Sequence, residues 1–284
     1  MSTRSFLALC GAAATASPLA AQSMRTVATS RPIGGERVVH AMVEFGAGVV
    51  HLGAAKGTDL YRMQLRYDAD RNAPVHRYDP RTGILRLGLA GNGSAGLRVT
   101  SRAQMAQRAD FDFSPTIPLI LEANLGSSDA TLDLGGMTIL SLTVRGGASR
   151  STVTFATPTK GECTRADFAL GAAELDVSGL ANAGCAEIRV DGGVGKAELS
   201  FDGAWRRDLT AEVSLAMGGL TLRIPRGTGV RLVASRFLSS LDAEGFTRTG
   251  DTWTTPGFDQ AKHKLTVTVN ASAAGVTVAW LPTP

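Results

Sequence analysis

Carboxylates, histidines, cysteines and one glycine-rich string are the parts of this sequence that could carry chemistry. Asp133 and Asp176 hold corresponding places in two short alternating segments, TLDL and ELDV. With two strand spacings between them, their backbones would stand about 9–10 Å apart, near the upper limit for an inverting carboxylate pair. A carbohydrate-active enzyme is therefore one reading. Against it, Trp205, Trp253 and Trp280 are scattered rather than flanking the two aspartates, and alternating polar residues occur on any solvated strand.

Other motifs carry less. His40, His51, His76 and His263 show no metal-ligand spacing, although His40 and His51 could meet across strands. No serine sits in a nucleophile elbow and no Cys/His pairing is marked, so acyl transfer has no support. Gly91 to Gly96 (GNGSAG) matches a dinucleotide-loop string, but LRVTS follows it, a strand pattern rather than a helix whose N-terminus could receive a pyrophosphate. It reads as a turn. Catalytic residues, metal and cofactor are therefore all expected to be absent.

The elements that must position these residues are short strands. Among 284 residues there are 33 Gly and 11 Pro, with 6% aromatic and 19% charged residues, which describes a turn-rich chain. The second large apolar residue of successive segments falls at Leu134, Phe155, Val177, Phe201 and Ile224, a nearly constant interval. Continuing the count reaches Phe246 and Val269. Each segment alternates, with an apolar face toward a core and a polar face toward water. The polar column reads Asp133, Thr154, Asp176, Ser200, Arg223. A turn of about 22 residues cannot bury its own apolar face, but stacked turns form a continuous core. The period thus predicts an all-β, parallel β-solenoid over an antiparallel sandwich, because a sandwich has no reason to repeat strand and corner together.

Arg4, followed by the uncharged run Ser5 to Ala21, reads as a secretory signal peptide, placing the mature chain from near Gln22 in the periplasm or outside the cell. Leu9 before Cys10 fits a lipobox poorly. No later run is long enough to span a membrane. Two cysteines remain, Cys163 and Cys185, each at the same distance after an equivalent apolar position, Phe155 and Val177. Stacked strands bring such positions within disulfide range, so a bond is predicted, two small buried thiols being the competing state. Residues 22–37 read as a flexible lead-in, and residues 38–284 as one domain. Within it, residues 38–110 form an N-terminal cap and first turn, with a short helix over Arg102 to Ala109, and residues 111–284 form regular turns. The 29 basic and 25 acidic residues give a net charge of +4 and are mixed along the chain without stacking aromatics, which excludes a nucleic-acid groove.

LYRMQLRYD with VHRYDPRTGILRLGL, then IPLILEANLGSSDATLDLGG, GGVGKAELSFDGAW and TLRIPRGTGVRL, resemble the toast-rack proteins of bacterial cell envelopes, some of them labelled adhesins. The resemblance covers roughly Val38 to Pro284. It implies a right-handed β-solenoid with no known catalytic set. Relatives in envelope-stress regulation carry membrane helices before the domain, which this chain lacks. The resulting expectation is a non-catalytic envelope protein presenting a surface to a protein or glycan partner. The alternatives are the enzyme built on Asp133 and Asp176, or a sensory domain acting through a separate membrane protein.

Overall fold

A computed structural model describes residues 24–91, 106–148, 150–234 and 240–282. The expected signal peptide and Cys10 lie outside the described residues, as do residues 92–96 of the GNGSAG turn and 102–105 of the expected helix. Of the latter, Arg108 and Ala109 are strand residues.

The described chain is all-β, with one four-residue α-helical turn, Leu180–Ala183, and one 3-10 turn, Phe258–Gln260. Its backbone is a stack of parallel strands: β2 (Val39–Ala54), β7 (Leu119–Asp133), β8 (Ile139–Gly146) with β9 (Arg150–Thr154), β10 (Arg165–Ser178), β11 (Glu187–Ser200), β12 (Leu209–Pro225) and β17 (Lys264–Leu281). Alternation decides their faces. In β7, Leu119, Leu121, Ala123 and Leu125 point inward, and Ala130 and Leu132 resume beyond a bend.

Register stacks these residues in columns. One runs Val43, Ala123, Val144, Phe168, Val190, Val213, Val269. Another runs Leu52, Leu132, Val153, Val177, Leu199, Leu222, Val278. All belong to one continuous core. Each valine, leucine or phenylalanine among them, taken fully out of water, contributes about 1.5–3 kcal/mol.

From β7 to β12 the ladder pairs Thr131 with Thr152, Thr152 with Asp176, Asp176 with Glu198 and Glu198 with Thr221. The expected column of Phe155, Val177 and Phe201 needs correction. Val177 pairs with Val153 and Leu199, while Phe155 lies against Gly179, where a Cβ would meet the Phe155 carbonyl oxygen at 2.3 Å. The slip carries Val177 from Phe155 to Val153, two positions along the strand. Because side chains alternate with period two, such a slip leaves every residue on its face and is invisible to alternation.

Regular stacking also stops earlier than expected. The neighbour of β12 is β17 instead of the next segment in sequence, so Val269 packs beside Val213. Phe246 stands outside that core, stacked on Trp280 with ring centroids 5.7 Å apart. The intervening chain forms β13 (Gly229–Ala234) and β14 (Ser240–Asp242), which pair with the far side of β17. It also forms β15 (Thr247–Thr249) and β16 (Thr252–Thr254), which continue antiparallel.

At the other end, β5 (Ile84–Gly91) and β6 (Arg108–Phe113) pair in parallel with the two halves of β2. They are followed by antiparallel β4 (Asn72–Asp79) on β5 and β3 (Asp59–Asp68) on β6. The sheet is therefore mixed. The segment expected to be a flexible lead-in contains β1 (Met24–Pro32), paired antiparallel along β3. Its polar composition hides the alternation, since the ladder rests on backbone bonds and only half-buried side chains.

Each long strand bends midway, and two bends need glycine. Gly195 and Gly218 have φ of +152° and +135°, and a Cβ on either would lie 1.8 Å from a carbonyl oxygen of the strand below, Ala173 and Gly195 respectively.

Candidate functional site

Outward of the core, residues of successive strands stand side by side, and opposite charges meet across the gaps. Before the bends, Arg165 on β10 binds Glu187 on β11 at 2.9 Å and reaches Asp167 at 3.8 Å. Arg189 binds Asp191 at 3.1 Å and reaches Glu212 on β12 at 3.9 Å. Beyond the bends, Arg150 binds Glu174 at 2.9 Å and Arg223 pairs with Glu198. These exposed pairs add little stability singly, but they set opposite charges side by side along the outward rows.

The rows after the bends enclose an open recess of about 560 Å3, lined by Thr152, Glu174, Asp176, Lys196, Glu198 and Thr221 among others. Asp176 keeps its exposure, yet the crowding strands strip part of its hydration. This pushes its carboxyl above the ordinary range, as does the Glu198 charge, while Arg223 pulls it down. Partial burial likewise raises Asp167, with Arg165 opposing and Glu187 adding to the effect.

Of the expected polar column, Asp133, Thr154, Ser200 and Arg223 share one row, but its middle member is Ser178, whose hydroxyl lies 3.4 Å from that of Thr154. Asp176 belongs to the next row, between Thr152 and Glu198. The slip at Val177 carries Asp176 with it. Ser200 is 8% exposed, so the row is not open along its whole length. Asp133 instead faces His51 on β2 at 3.2 Å. The two aspartates of the enzyme reading thus lie in different rows. Lys196 and Glu198 are legible as the polar alternates of KAEL and ELSF, and register alone joins them to Asp176.

The histidines do not meet. His40 binds Glu122 at 2.7 Å, His76 binds the Tyr61 hydroxyl at 2.7 Å, and His263 packs on Trp205 with centroids 5.8 Å apart. No cluster of three or more His, Cys, Asp or Glu fit for a metal occurs among the described residues. Cys163 and Cys185, buried just before β10 and β11, form a disulfide with Cα atoms 4.2 Å apart. No helix among the described residues is long and apolar enough to cross a membrane.

This stack of bent, parallel-paired strands around one core agrees with a sequence match. Residues 21–178 match the family described as the N-terminal domain of toast_rack, DUF2154. The chain belongs to the toast-rack family. No curated protein matches it. Among solved structures, the chain is similar to a candidate cell adhesion protein from Clostridium sporogenes, at 14% identity and TM-score 0.47, covering 91% of this chain and 100% of that one. It is also similar to a candidate adhesin from Bacteroides fragilis, at 8% identity and TM-score 0.40, covering 89% and 97%. A candidate lipid-binding protein from Parabacteroides distasonis shows 8% identity and TM-score 0.31, covering 92% and 97%.

Proposed function

We propose that this chain is a non-catalytic protein of the bacterial cell envelope, a right-handed β-solenoid whose outward rows bind a protein or glycan partner. The nearly constant interval between paired positions on β7 to β12 supports a repeating solenoid turn, with residues 38–110 serving as the N-terminal cap and first turn. One observation carries the binding reading. The rows beyond the bends keep charged and hydroxyl groups in register around an open recess, with Arg150 paired to Glu174 and Arg223 to Glu198. Such a surface offers donors and acceptors to an extended partner.

The test is a photo-crosslinking residue in place of Thr152 or Thr221, in the full chain expressed in its native envelope, with Thr268 as the site outside the recess. Adducts from Thr152 and Thr221 that are absent from Thr268 support the reading, and equal labelling at all three sites refutes it. Mass spectrometry of the recovered protein gives the compartment: a mature N-terminus near Gln22 is expected, and an intact Met1 in cytosol overturns it.

A further inference from the structure

The chain is electrically uneven. Residues 24–113 hold 13 Lys/Arg against 8 Asp/Glu, net +5, whereas residues 114–284 hold 15 against 17, net −2. The excess is placed unusually. Arg108 on β6 stands directly opposite Arg66 on β3, and Arg86 on β5 directly opposite Arg77 on β4. All four are exposed. None forms an ion pair with an acidic side chain among the described residues.

Elsewhere the chain does the opposite: Arg150, Arg165, Arg189 and Arg223 each stand beside a carboxylate. Like charges directly opposite in an antiparallel pair destabilise it. Two such pairs at one end mark a place where charge is kept at the expense of stability, which an external anion would relieve. Guanidinium groups are planar forks that fit phosphate oxygens two at a time, so two facing forks can hold one phosphate between them.

We propose that the outward face of β3, β4, β5 and β6 binds a flexible, phosphate-bearing polymer, each arginine pair holding one phosphate group. A flexible occupant fits better than a flat bilayer because of the bend in β2. β5 pairs with His40–Glu44 before the bend and β6 with Val49–Ala54 after it. The inward side chains of both flanks, Leu85 and Leu87 on one and Phe111 and Phe113 on the other, enter one core, so their outward faces diverge. A plane presses on one flank at a time, whereas a polymer follows both. This surface lies apart from the recess around Asp176 and does not depend on the preceding reading.

The test uses the whole mature protein and fluorescently labelled long-chain inorganic polyphosphate, read by anisotropy at low salt. Arg66→Gln/Arg108→Gln and Arg77→Gln/Arg86→Gln are each expected to weaken binding tenfold or more, and the quadruple variant to abolish it. The slope of log affinity against log salt should fall by roughly 2 for each pair removed. Arg231→Gln/Arg248→Gln loses the same charge at the other end and should stay within twofold of the parent. Independently, the Arg66→Gln/Arg108→Gln protein should melt no lower than the parent, because repulsion has been removed. Equal weakening by all three double variants, no polyphosphate binding, or a lower melting point each overturns the proposal. So does binding confined to phosphatidylglycerol vesicles, which would make a bilayer the occupant.

Discussion

Replacing Gly218 by alanine places a Cβ 1.8 Å from the Gly195 carbonyl oxygen, at a residue whose φ is +135°. Both strands are held in register on either side, so neither can step away without breaking the ladder of β11 on β12. Holding a non-glycine residue in that backbone region costs about 1–3 kcal/mol. Forcing the extra methyl into occupied space adds about 1–3 kcal/mol through displaced backbone. A loss of about 2–6 kcal/mol should lower the thermal midpoint by about 4–11 °C for a chain of this size. Gly219 is the matched control, since a Cβ there meets nothing within 4 Å and its φ is not left-handed. Gly219→Ala should gain about 0.4–1 kcal/mol by restricting the unfolded chain. Differential scanning calorimetry on the two variants side by side decides the matter. If they melt together, or if the Gly219 variant melts first, the bends do not stack as closely as these distances require.

Four further outcomes follow from other parts of the chain. Converting Cys163 and Cys185 to alanine frees a loop with a sequence separation of 22 residues, and the loop-entropy relation gives a loss of about 3 kcal/mol, readable as a lower urea midpoint that matches the reduced parent. Asn182 is buried, donating to the Phe155 carbonyl and accepting from the Ala204 N–H, both at 2.8 Å, so Asn182→Ala should cost about 2–3 kcal/mol by leaving both groups unpaired. Burial raises the Glu36 carboxyl, but hydrogen bonds from the Gly34 N–H, its own N–H and the Tyr78 hydroxyl, with the Arg31 charge, outweigh it and set the net shift downward from 4.5. A lowered acid stabilises above its unfolded value, and that contribution disappears as pH falls through the folded value. Amide protection over residues 33–37, taken relative to the intrinsic exchange rate at each pH, should therefore fall from about pH 4.5 downward, and an unchanged protection profile refutes the assignment. The partner phenol, Tyr78, is pushed up to about 12 by burial and by Glu36, so Tyr78→Phe should remove the latest step in a tyrosinate absorbance titration.

What can be read in advance depends on what side-chain alternation records. Inward and outward faces of β7, β9, β11 and β12 follow directly from the pattern. The cysteine pair is expected from equal distances after Phe155 and Val177, which do not stack, and the bond forms because Cys163 and Cys185 each lie two residues before the paired Arg165 and Glu187. Register is readable only to within a multiple of two. ELDV satisfies alternation equally well with Val177 beside Phe155 or beside Val153, and the choice rests on Gly179. This residue turns with φ of +75° into the helical turn Leu180–Ala183, taking the place where a side chain would strike the Phe155 backbone. Asp176 moves with that choice, and the candidate site changes from a column to a recess. β1 is hidden for a different reason: MRTVATSRP buries nothing fully, so it has no apolar signal to show.

The departure of β17 from the regular count has its own physical logic. A stack of parallel strands that simply ended at β12 would expose a row of unpaired backbone groups along 17 residues, a template for pairing with another chain. Placing β17 there only moves that edge outward, and the chain covers it again with the short β13 and β14, then turns antiparallel into the three-residue strands β16 and β15. The opposite end uses the same device, with β5 and β6 on β2, then antiparallel β4 and β3, then β1. The outermost strands are poor templates: β14 and β15 have three residues each, β4 carries Pro74, and β1 is polar and ends in Pro32. Interruption of the period at both ends is thus what a finite stack requires to remain a single molecule.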